Sequence, residues 1–243
     1  GFDRIRDMLE QQCLSTLGRD HVRRMNFVAG HAAIQELLGR ADEFRGILLS
    51  GKPFPNSGYF DLTPELKRIR LQGTYLDPEA LFDLRSSLHT INDCLDFFRN
   101  AEEGQYPELT KLADGHEPHN ELVGAIDRII DDRGMIRDSA SPGLKKIRAE
   151  LRSKQQSIDG RIRKSMEEAR KSGLVPEDAE VTIRSGRMVI PVLASAKRQL
   201  KGFIHDESAT GQTVYIEPTE VFDLNNEIRE LENAERREII RIL

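Results

Sequence analysis

The chain has few of the residues that mark several classes of protein. Its 243 residues include no tryptophan, only two cysteines and 6% aromatic residues. Because Cys13 and Cys94 lie far apart and form no CxxC pair, a disulfide scaffold and a zinc ribbon are disfavoured, and a reducing compartment is favoured. The scarcity of aromatic side chains argues against a platform that stacks single-stranded bases. No apolar run approaches the length of a membrane span, and no signal peptide is visible.

Charged residues make up 32% of the chain and apolar residues 38%, a composition typical of a soluble, helix-rich protein. The formal net charge is −5, so bulk charge does not indicate a nucleic-acid-binding protein, while leaving room for a local basic surface. The length is enough for one large domain or two modest ones. Because the chain lacks an initiator methionine and stops inside a helical pattern at Arg241-Ile242-Leu243, we expect it to be a fragment.

Helical periodicity dominates the first 141 residues. Asp77-Pro78 is a strong start signal, since an aspartate N-cap is followed by a proline in the first turn. The segment IIDDRGMIRD predicts a small hairpin. The predicted elements are helices over 2–17, 32–49, 78–100 and 119–130 and a hairpin over 129–138.

Two further helices are predicted in the second part of the chain. Ser141-Pro142 begins the first of them, and Gly173 predicts its end. The other is predicted from about Thr219, directly after Pro218. The apolar residues of each helix form one narrow seam. These residues are Leu144, Ile147, Leu151, Ile158, Ile162 and Met166 in the first helix, and Val221, Leu224, Ile228, Leu231, Ile239 and Ile242 in the second.

Between these helices the composition changes to that of a small β module. EVTIRSGRMVIPVLAS alternates as a strand does, with Ser185-Gly186 as a turn, and KGFIHDESATGQTVYIEP predicts a second strand, a turn and a third strand. The interpretation is a mainly α fold in which a long antiparallel helical lever, about 45 Å in length, carries a small β insert. The predicted domains are a helical core over 1–141, an outgoing lever helix over 142–172, a clamp-like β insert over 173–217 and a returning lever helix over 218–243.

The run His205-Asp206-Glu207-Ser208 has the residue types of a hydrolase. Adjacent strand side chains point to opposite faces, so its first three residues cannot all converge. A Ser-His-acid triad is usually assembled from separate segments of a chain. Ser208-Ala209-Thr210-Gly211 has instead the chemistry of a turn. We interpret the run as a polar corner between two strands. Catalysis, or a polar contact with another part of a longer protein, are the alternatives.

Two further motifs do not have the context that their chemistry needs. GILLSGKP has the spacing of a phosphate-binding loop at Gly46, Gly51 and Lys52, but Pro53 replaces the residue that ligates magnesium and offers no N–H. We therefore predict a helix C-terminus there. His116-Glu117-Pro118-His119 is interrupted by proline and lacks a third ligand, so a solvated loop is favoured over a metal site. No catalytic, cofactor-binding or metal-binding residue is predicted in this chain.

Basic residues are concentrated in the outgoing helix and the β insert. Between 142 and 172 there are ten basic and four acidic residues, which a solvated helix face opposite an acidic return helix would explain. The candidate nucleic-acid-binding residues lie in the insert: Arg184, Arg187, Lys197, Arg198 and Lys201. Such residues hold phosphates without reading sequence. The alternative is that they pair with acidic residues of the insert: Glu177, Asp178, Glu180 or Glu207.

Several segments resemble the second bacterial branch of the MutS family, MutS-II. The specific signal is GFIHDESATGQTVYIEP, over 202–218. RSGRMVIPV, VFDLNNEIRELE, SASPGLKKIRAEL and FDRIRDMLEQQCLSTLGRD also look like that family, so the resemblance covers essentially the whole chain. Mismatch-repair MutS proteins read a mismatch with a Phe-x-Glu motif. No phenylalanine here is followed two places later by glutamate, which fits the MutS-II branch.

The resemblance implies a core, lever and clamp-like region of a homodimeric, ATP-driven protein that closes around nucleic acid. The target would be branched DNA, with suppression of recombination, or a collided ribosome. The resemblance also implies a bacterial cytoplasmic location and, beyond Leu243, an ATPase domain with ATP, magnesium and a complete GxxxxGK[ST], then an Smr domain linked to endonuclease activity. The rival interpretations are a coiled-coil dimerisation module that binds no nucleic acid and a hydrolase that uses His205 and Ser208.

Overall fold

A computed structural model describes residues Gly1–Leu243, which form nine α-helices and a four-stranded sheet. The predicted mainly α fold is confirmed. The chain divides into two compact units, Gly1–Arg137 and Asp138–Ile242. None of the helices is both long and apolar enough to cross a membrane.

The first unit consists of helices joined by loops, and its one β-bridge joins Ile130 to Ile136, where a hairpin is predicted. Its helices are α1 (Phe2–Gln12), α2 (Thr16–Arg23), α3 (His31–Leu49), α4 (Thr63–Arg68), α5 (Pro78–Arg99), α6 (Pro107–Ala113) and α7 (Asn120–Ile129). Asp77 caps α5 as predicted, since its Oδ1 accepts a hydrogen bond from Ala80 N at 2.8 Å. The predicted small hairpin is confirmed, since Arg137 N donates to Ile129 O at 2.8 Å and Asp131 N donates to Met135 O at 2.9 Å.

The prediction of one helix over 2–17 is wrong, because the chain breaks between α1 and α2. Cys13 is extended at the end of α1. Ser15 then begins α2, with its hydroxyl accepting a hydrogen bond from Gly18 N at 3.1 Å. The helical spacing of apolar residues continues across the break in the sequence, but the serine N-cap begins a new helix.

Two helix starts in this unit are capped by residues from other helices. Tyr106 begins α6 without a side-chain cap, and Glu43 of α3 accepts hydrogen bonds from Glu108 N and Leu109 N instead. Asn92 of α5 accepts one from His119 N at 3.0 Å, at the start of α7. Because these caps come from distant parts of the sequence, the unpredicted α6 has no complete local start signal.

The second unit consists of two long helices and the sheet between them in sequence. Its elements are α8 (Pro142–Lys171), β1 (Thr182–Arg184), β2 (Arg187–Leu193), β3 (Gly202–Glu207), β4 (Thr213–Pro218) and α9 (Thr219–Ile242). Polar contacts join α8 to α9, and successive residues along α8 contact progressively earlier residues of α9. The pairs are Ser141 with Glu238, Arg148 with Glu235, Lys154 with Glu227 and Ser165 with Glu220. The two helices therefore run antiparallel.

The sheet is antiparallel throughout, with the strand order β1-β2-β4-β3. The turn predicted at Ser185-Gly186 is confirmed, since these residues take positive φ angles of 50° and 73° and separate β1 from β2. Such a pair of left-handed residues closes a two-residue hairpin.

Helices and sheet share one core in this unit. Ile158 and Ile162 of α8 cluster with Ile190 of β2, Ile216 of β4 and Leu224 of α9. Burial is less uniform at the N-terminal end of the seam of α8, since Leu144 is fully buried whereas Leu151 is half-buried. The sheet therefore packs on the C-terminal half of α8 and the N-terminal part of α9.

Candidate nucleic-acid interface

A buried carboxylate organises the polar side chains of the second unit. Glu217 of β4 is completely buried. Arg187 of β2 donates from Nη1 to both carboxylate oxygens, at 2.8 and 3.0 Å. The Nε2 atom of His205 lies 2.5 Å from Oε2, and Asn225 of α9 donates from Nδ2 to Oε1 at 2.7 Å. We call these four residues the Glu217 cluster.

Further bonds hold the arginine and the asparagine of the cluster in place. Arg187 also donates from Nη2 to the Oδ1 of Asn226 at 2.6 Å, and its guanidinium lies 5.4 Å from the ring centre of Phe222. Asn225 accepts from Met188 N at 3.2 Å. A buried charge is tolerated only when it is paired and hydrogen-bonded. The donors of Arg187 are therefore committed inside the fold.

The HDES run forms the predicted corner, and its histidine and serine contact different partners. His205 is directed to Glu217, whereas the hydroxyl of Ser208 accepts a hydrogen bond from Thr213 N at 3.1 Å. Gly211, with a φ of 66°, donates to the carbonyl of Ser208 and completes the turn between β3 and β4. No hydrogen bond joins His205 to Ser208, so the structure does not assemble the serine–histidine pair that a hydrolase would need.

Close approach of β3 and β4 depends on Gly202. A Cβ atom at this position would collide with the carbonyl oxygen of Glu217 and would lie 2.7 Å from Cγ2 of Ile216. Directly before it, the carbonyl of Lys201 accepts hydrogen bonds from N and Oγ1 of Thr219, at 3.2 and 3.1 Å. The start of β3 is thus fixed to the junction of β4 and α9.

Of the five predicted nucleic-acid-binding residues, Arg184 is partly engaged by its neighbours. Its guanidinium lies 4.2 Å from the ring centre of Tyr215, and its Nε is 3.4 Å from a carboxylate oxygen of Asp206. The side chain keeps 37% exposure. Arg184 and Arg187 therefore both contact acidic residues of the insert, although not the acids that the sequence suggested.

The other three predicted residues lie together on the connection between β2 and β3. Lys197, Arg198 and Lys201 are all exposed, and none has a carboxylate within 4.0 Å. Ala196 is buried immediately before them and belongs to the core of the unit. We call these three residues the tip cations. Their backbone is anchored at both ends while their charges remain unpaired.

The basic residues of α8 are divided between pairing and exposure. Arg148 lies 2.7 Å from both Asp138 and Glu235. Lys154 pairs with Glu227 of α9. Other basic residues of α8 are exposed without an ion pair: Lys145, Lys146, Arg161, Arg163 and Lys171. The structure thus supports the expected balance between α8 and α9 for only part of this positive charge.

The remaining sequence motifs have structural explanations. α3 ends at Leu49, and Gly51 has a φ of 70°, so GILLSGKP is the helix C-terminus that was predicted. His116 and His119 lie in the connection between α6 and α7. No group of three or more histidine, cysteine, aspartate and glutamate side chains is placed to hold a metal ion.

Comparison with known proteins finds extended similarity along the whole chain. No protein-family model matches. The chain is 34% identical over 248 residues to the Endonuclease MutS2 of Geobacillus sp. (strain WCH70). It is 30% identical over 243 residues to the Endonuclease MutS2 of Alkaliphilus metalliredigens (strain QYMF), and 32% over 242 residues to that of Symbiobacterium thermophilum. These alignments cover 100% of this chain but only 30–31% of each relative. The chain therefore spans about 30% of the length of these relatives.

Proposed function

We propose that the chain is a MutS2-type core, lever and clamp region, which binds nucleic acid through its phosphates and catalyses no reaction itself. Similarity to three proteins named Endonuclease MutS2 supports the family. The arrangement of the tip cations is the observation that carries the binding proposal. Three unpaired positive charges lie within five residues on a connection whose backbone is fixed by Ala196 and Lys201.

The charge distribution favours backbone contact over base recognition. Lysine and arginine side chains bind phosphates from any sequence and release counterions as they do so. At physiological ionic strength an exposed charge acts over about 8 Å, so the net charge of −5 does not cancel a local group of cations. Arg187 is left out of the proposed interface because its donors bind Glu217 and Asn226. Arg184 contributes less than the tip cations, since it is shared with Asp206.

In the longer protein, residues 1–141 would form the core, 142–172 and 218–243 the lever, and 173–217 the clamp. The lever would couple ATP binding in a separate magnesium-dependent domain to closure of a cytoplasmic homodimer. Any endonuclease activity would belong to another part of that protein. DNA is the favoured target because the relatives carry the MutS2 name, and branched DNA fits suppression of recombination. Ribosomal RNA is the competing outcome of the test.

The test compares two pairs of basic residues, and the two members of each pair are neighbours in the sequence. Fluorescence anisotropy with labelled duplex DNA, a four-way DNA junction and a ribosomal RNA fragment should give dissociation constants of about 10⁻⁴ to 10⁻⁶ M for the parent. The double variant Lys197→Glu, Arg198→Glu should bind about tenfold more weakly and lower the slope of log K against log salt by about 2. The matched control is Lys145→Glu, Lys146→Glu, which changes the charge equally on exposed residues of α8.

Different results reject different parts of the proposal. Equal binding by the two double variants would show that the tip cations are not the contact surface. No binding by the parent at 50 mM salt would favour the dimerisation module without a nucleic-acid role. At least tenfold tighter binding to the RNA fragment than to both DNA probes would replace DNA with the ribosome as the target.

A further inference from the structure

One aromatic ring of the second unit remains exposed. The unit contains three aromatic residues, Phe203, Tyr215 and Phe222. The guanidinium of Arg184 lies 4.2 Å from the ring centre of Tyr215, and both Tyr215 and Phe222 are half-buried. Phe203 of β3 is 49% exposed. Single exposed apolar side chains are common in proteins, so the neighbours of Phe203 decide whether it marks a binding site.

The ring of Phe203 is held in place by a second aromatic residue. Its centre lies 4.8 Å from that of Phe222 on α9, and the guanidinium of Arg187 lies 5.4 Å from the centre of the same Phe222 ring. Arg187 is itself fixed by its bonds to Glu217. A side chain that is already ordered loses little conformational entropy when a ligand packs against it. Phe203 is therefore a preorganised apolar surface.

The tip cations lie beside this ring in the chain. The carbonyl of Lys201 accepts hydrogen bonds from Thr219, so the pairing of β3 extends to Lys201. Because side chains alternate along a strand, those of Lys201 and Phe203 project to one side, about 7 Å apart. Lys197 and Arg198 lie on the connection that leads into Lys201 and are exposed as well. A flat apolar ring and unpaired positive charge are thus presented together.

The charges around Phe203 favour a negatively charged ligand. Glu217 and Asp206 lie on the same face of the sheet as Phe203, and each contacts an arginine of the insert. At the start of α9, Glu220 and Asp223 are exposed, and the three tip cations outnumber them. A ligand that satisfies both the ring and the cations must offer an aromatic group next to an anionic group. A nucleotide with an unstacked base has this chemistry.

We propose that Phe203 stacks on an unpaired base whose phosphate is held by Lys201, so that the insert binds branched nucleic acid in preference to intact duplex. This inference rests on the proposed function and extends its surface by one residue. In an intact duplex, the ring would first have to separate two stacked bases, which is energetically unfavourable. At a branch point with unpaired bases, no such step is needed. One ring is sufficient for one base, whereas a platform along a single strand requires several.

Fluorescence anisotropy with two DNA probes tests the stacking contact. One probe is an intact duplex, and the other is a three-way junction of equal length with unpaired bases at its centre. Phe203→Ala should bind the junction about tenfold more weakly than the parent does, and should bind the duplex within about twofold of the parent. The slope of log K against log salt should not change, because no phosphate contact is lost.

The matched control is Ile204→Ala. Ile204 is the next residue of β3 and is 47% exposed, but its side chain points to the opposite face of the strand. This variant should bind both probes as the parent does. Circular dichroism of the two alanine variants checks that the secondary structure is retained.

The substitution Phe203→Trp provides a direct readout of stacking, because the chain has no tryptophan of its own. A base that stacks on an indole ring quenches its fluorescence. The junction should therefore quench this variant over the concentration range in which anisotropy rises, and the duplex should not. Phe60→Trp is the control, since Phe60 is 41% exposed and belongs to the first unit. Its fluorescence should not change with either probe.

The possible failures separate this inference from the proposed function. If Phe203→Ala binds the junction as tightly as the parent, or loses equal affinity for both probes, stacking at a branch point is rejected while the tip cations keep their role. Equal quenching of Phe203→Trp by duplex and junction would reject it as well. If the parent binds neither probe, the proposed function itself fails, and this inference fails with it.

Discussion

His205 and Glu217 form a 2.5 Å contact although the sheet does not place them opposite each other. Glu217 is paired in register with Phe203, and the register then shifts between Ile204 and Asp206, which leaves His205 as the extra residue of a β-bulge. Bulges redirect side chains, and this one supplies a third partner to a carboxylate that Arg187 and Asn225 already bind. The family-like segment that contains His205 is therefore used to stabilise the fold.

Breaking the Glu217 cluster should strongly destabilise the second unit. Replacing Arg187 with Met leaves a fully buried carboxylate with a reduced set of partners, and losing one member of a buried pair costs about 3 to 5 kcal/mol. Urea unfolding followed by circular dichroism measures this cost. The double variant Arg187→Met, Glu217→Gln should lose less free energy of unfolding than the sum of the losses of the two single variants. Strict additivity of the three values would show that the two side chains are not coupled.

Two glycine-to-alanine substitutions should change stability in opposite directions. Gly202→Ala should cost about 1 to 3 kcal/mol, because the new methyl group collides with the carbonyl of Glu217. Gly160→Ala in the middle of α8 meets no atom within 4 Å and should stabilise the protein by about 1 kcal/mol through helix propensity. Thermal unfolding of the two variants beside the parent checks both signs. A Gly202→Ala variant as stable as the parent would argue against the close approach of β3 and β4.

Truncation of the seam of α8 should have graded effects. Ile158 is 1% exposed and belongs to the core shared with the sheet, so Ile158→Ala should cost about 2 to 5 kcal/mol. Leu151 is half-buried, and Leu151→Ala should cost clearly less. Denaturant midpoints of the two variants provide the comparison. If Leu151→Ala proved the more damaging, the core would lie nearer the start of α8 than the structure shows.

Acid should weaken the end of the helical pair where Glu238 lies. Hydrogen bonds from Arg241 and Ser141 lower the pKa of Glu238 from 4.5 to about 2. A carboxylate with a lowered pKa contributes stability that is complete above the unfolded-state pKa and is lost as pH falls through the folded-state pKa. The melting temperature of the parent should therefore exceed that of Glu238→Gln by a constant margin at pH values higher than about 4.5. This margin should shrink as the pH falls toward 2. A margin independent of pH between 5 and 2 would contradict this assignment.

Local signals in the sequence were sufficient for the elements that start and stop on their own residues. Asp77-Pro78 and Ser141-Pro142 begin α5 and α8 where predicted, with each cap accepting its amide hydrogen bond. Ser185-Gly186 turns the first β segment. Capping of α6 could not be inferred in the same way, because Glu43 and Glu108 are 65 residues apart in the chain.

Local signals in the sequence also do not show which basic residues of the insert are exposed and which are buried. Counting charges identifies Arg187 and Arg198 equally, but burial decides their roles, and burial depends on contacts among four separate elements. One signal in α9 was available. Asn225 directly follows Leu224 on the core-facing side of the helix, and an asparagine at such a position needs a buried polar partner. Glu217, the one acidic residue of β4, is that partner.

The junction of β4 and α9 gives the two sides of the insert unequal tolerance to changes in length. Pro218 ends the strand and Thr219 begins the helix with no residue between them, whereas residues 172–181 separate α8 from β1. A residue inserted between Glu177 and Asp178, which are exposed, lengthens that connection and leaves Leu174, Val175 and Ala179 in the core. The same insertion after Pro218 would turn α9 by about 100° relative to the sheet and carry Asn225 away from Glu217. On one side of the insert, the number of residues sets only the length of an exposed turn, and on the other side it sets the rotation of a helix.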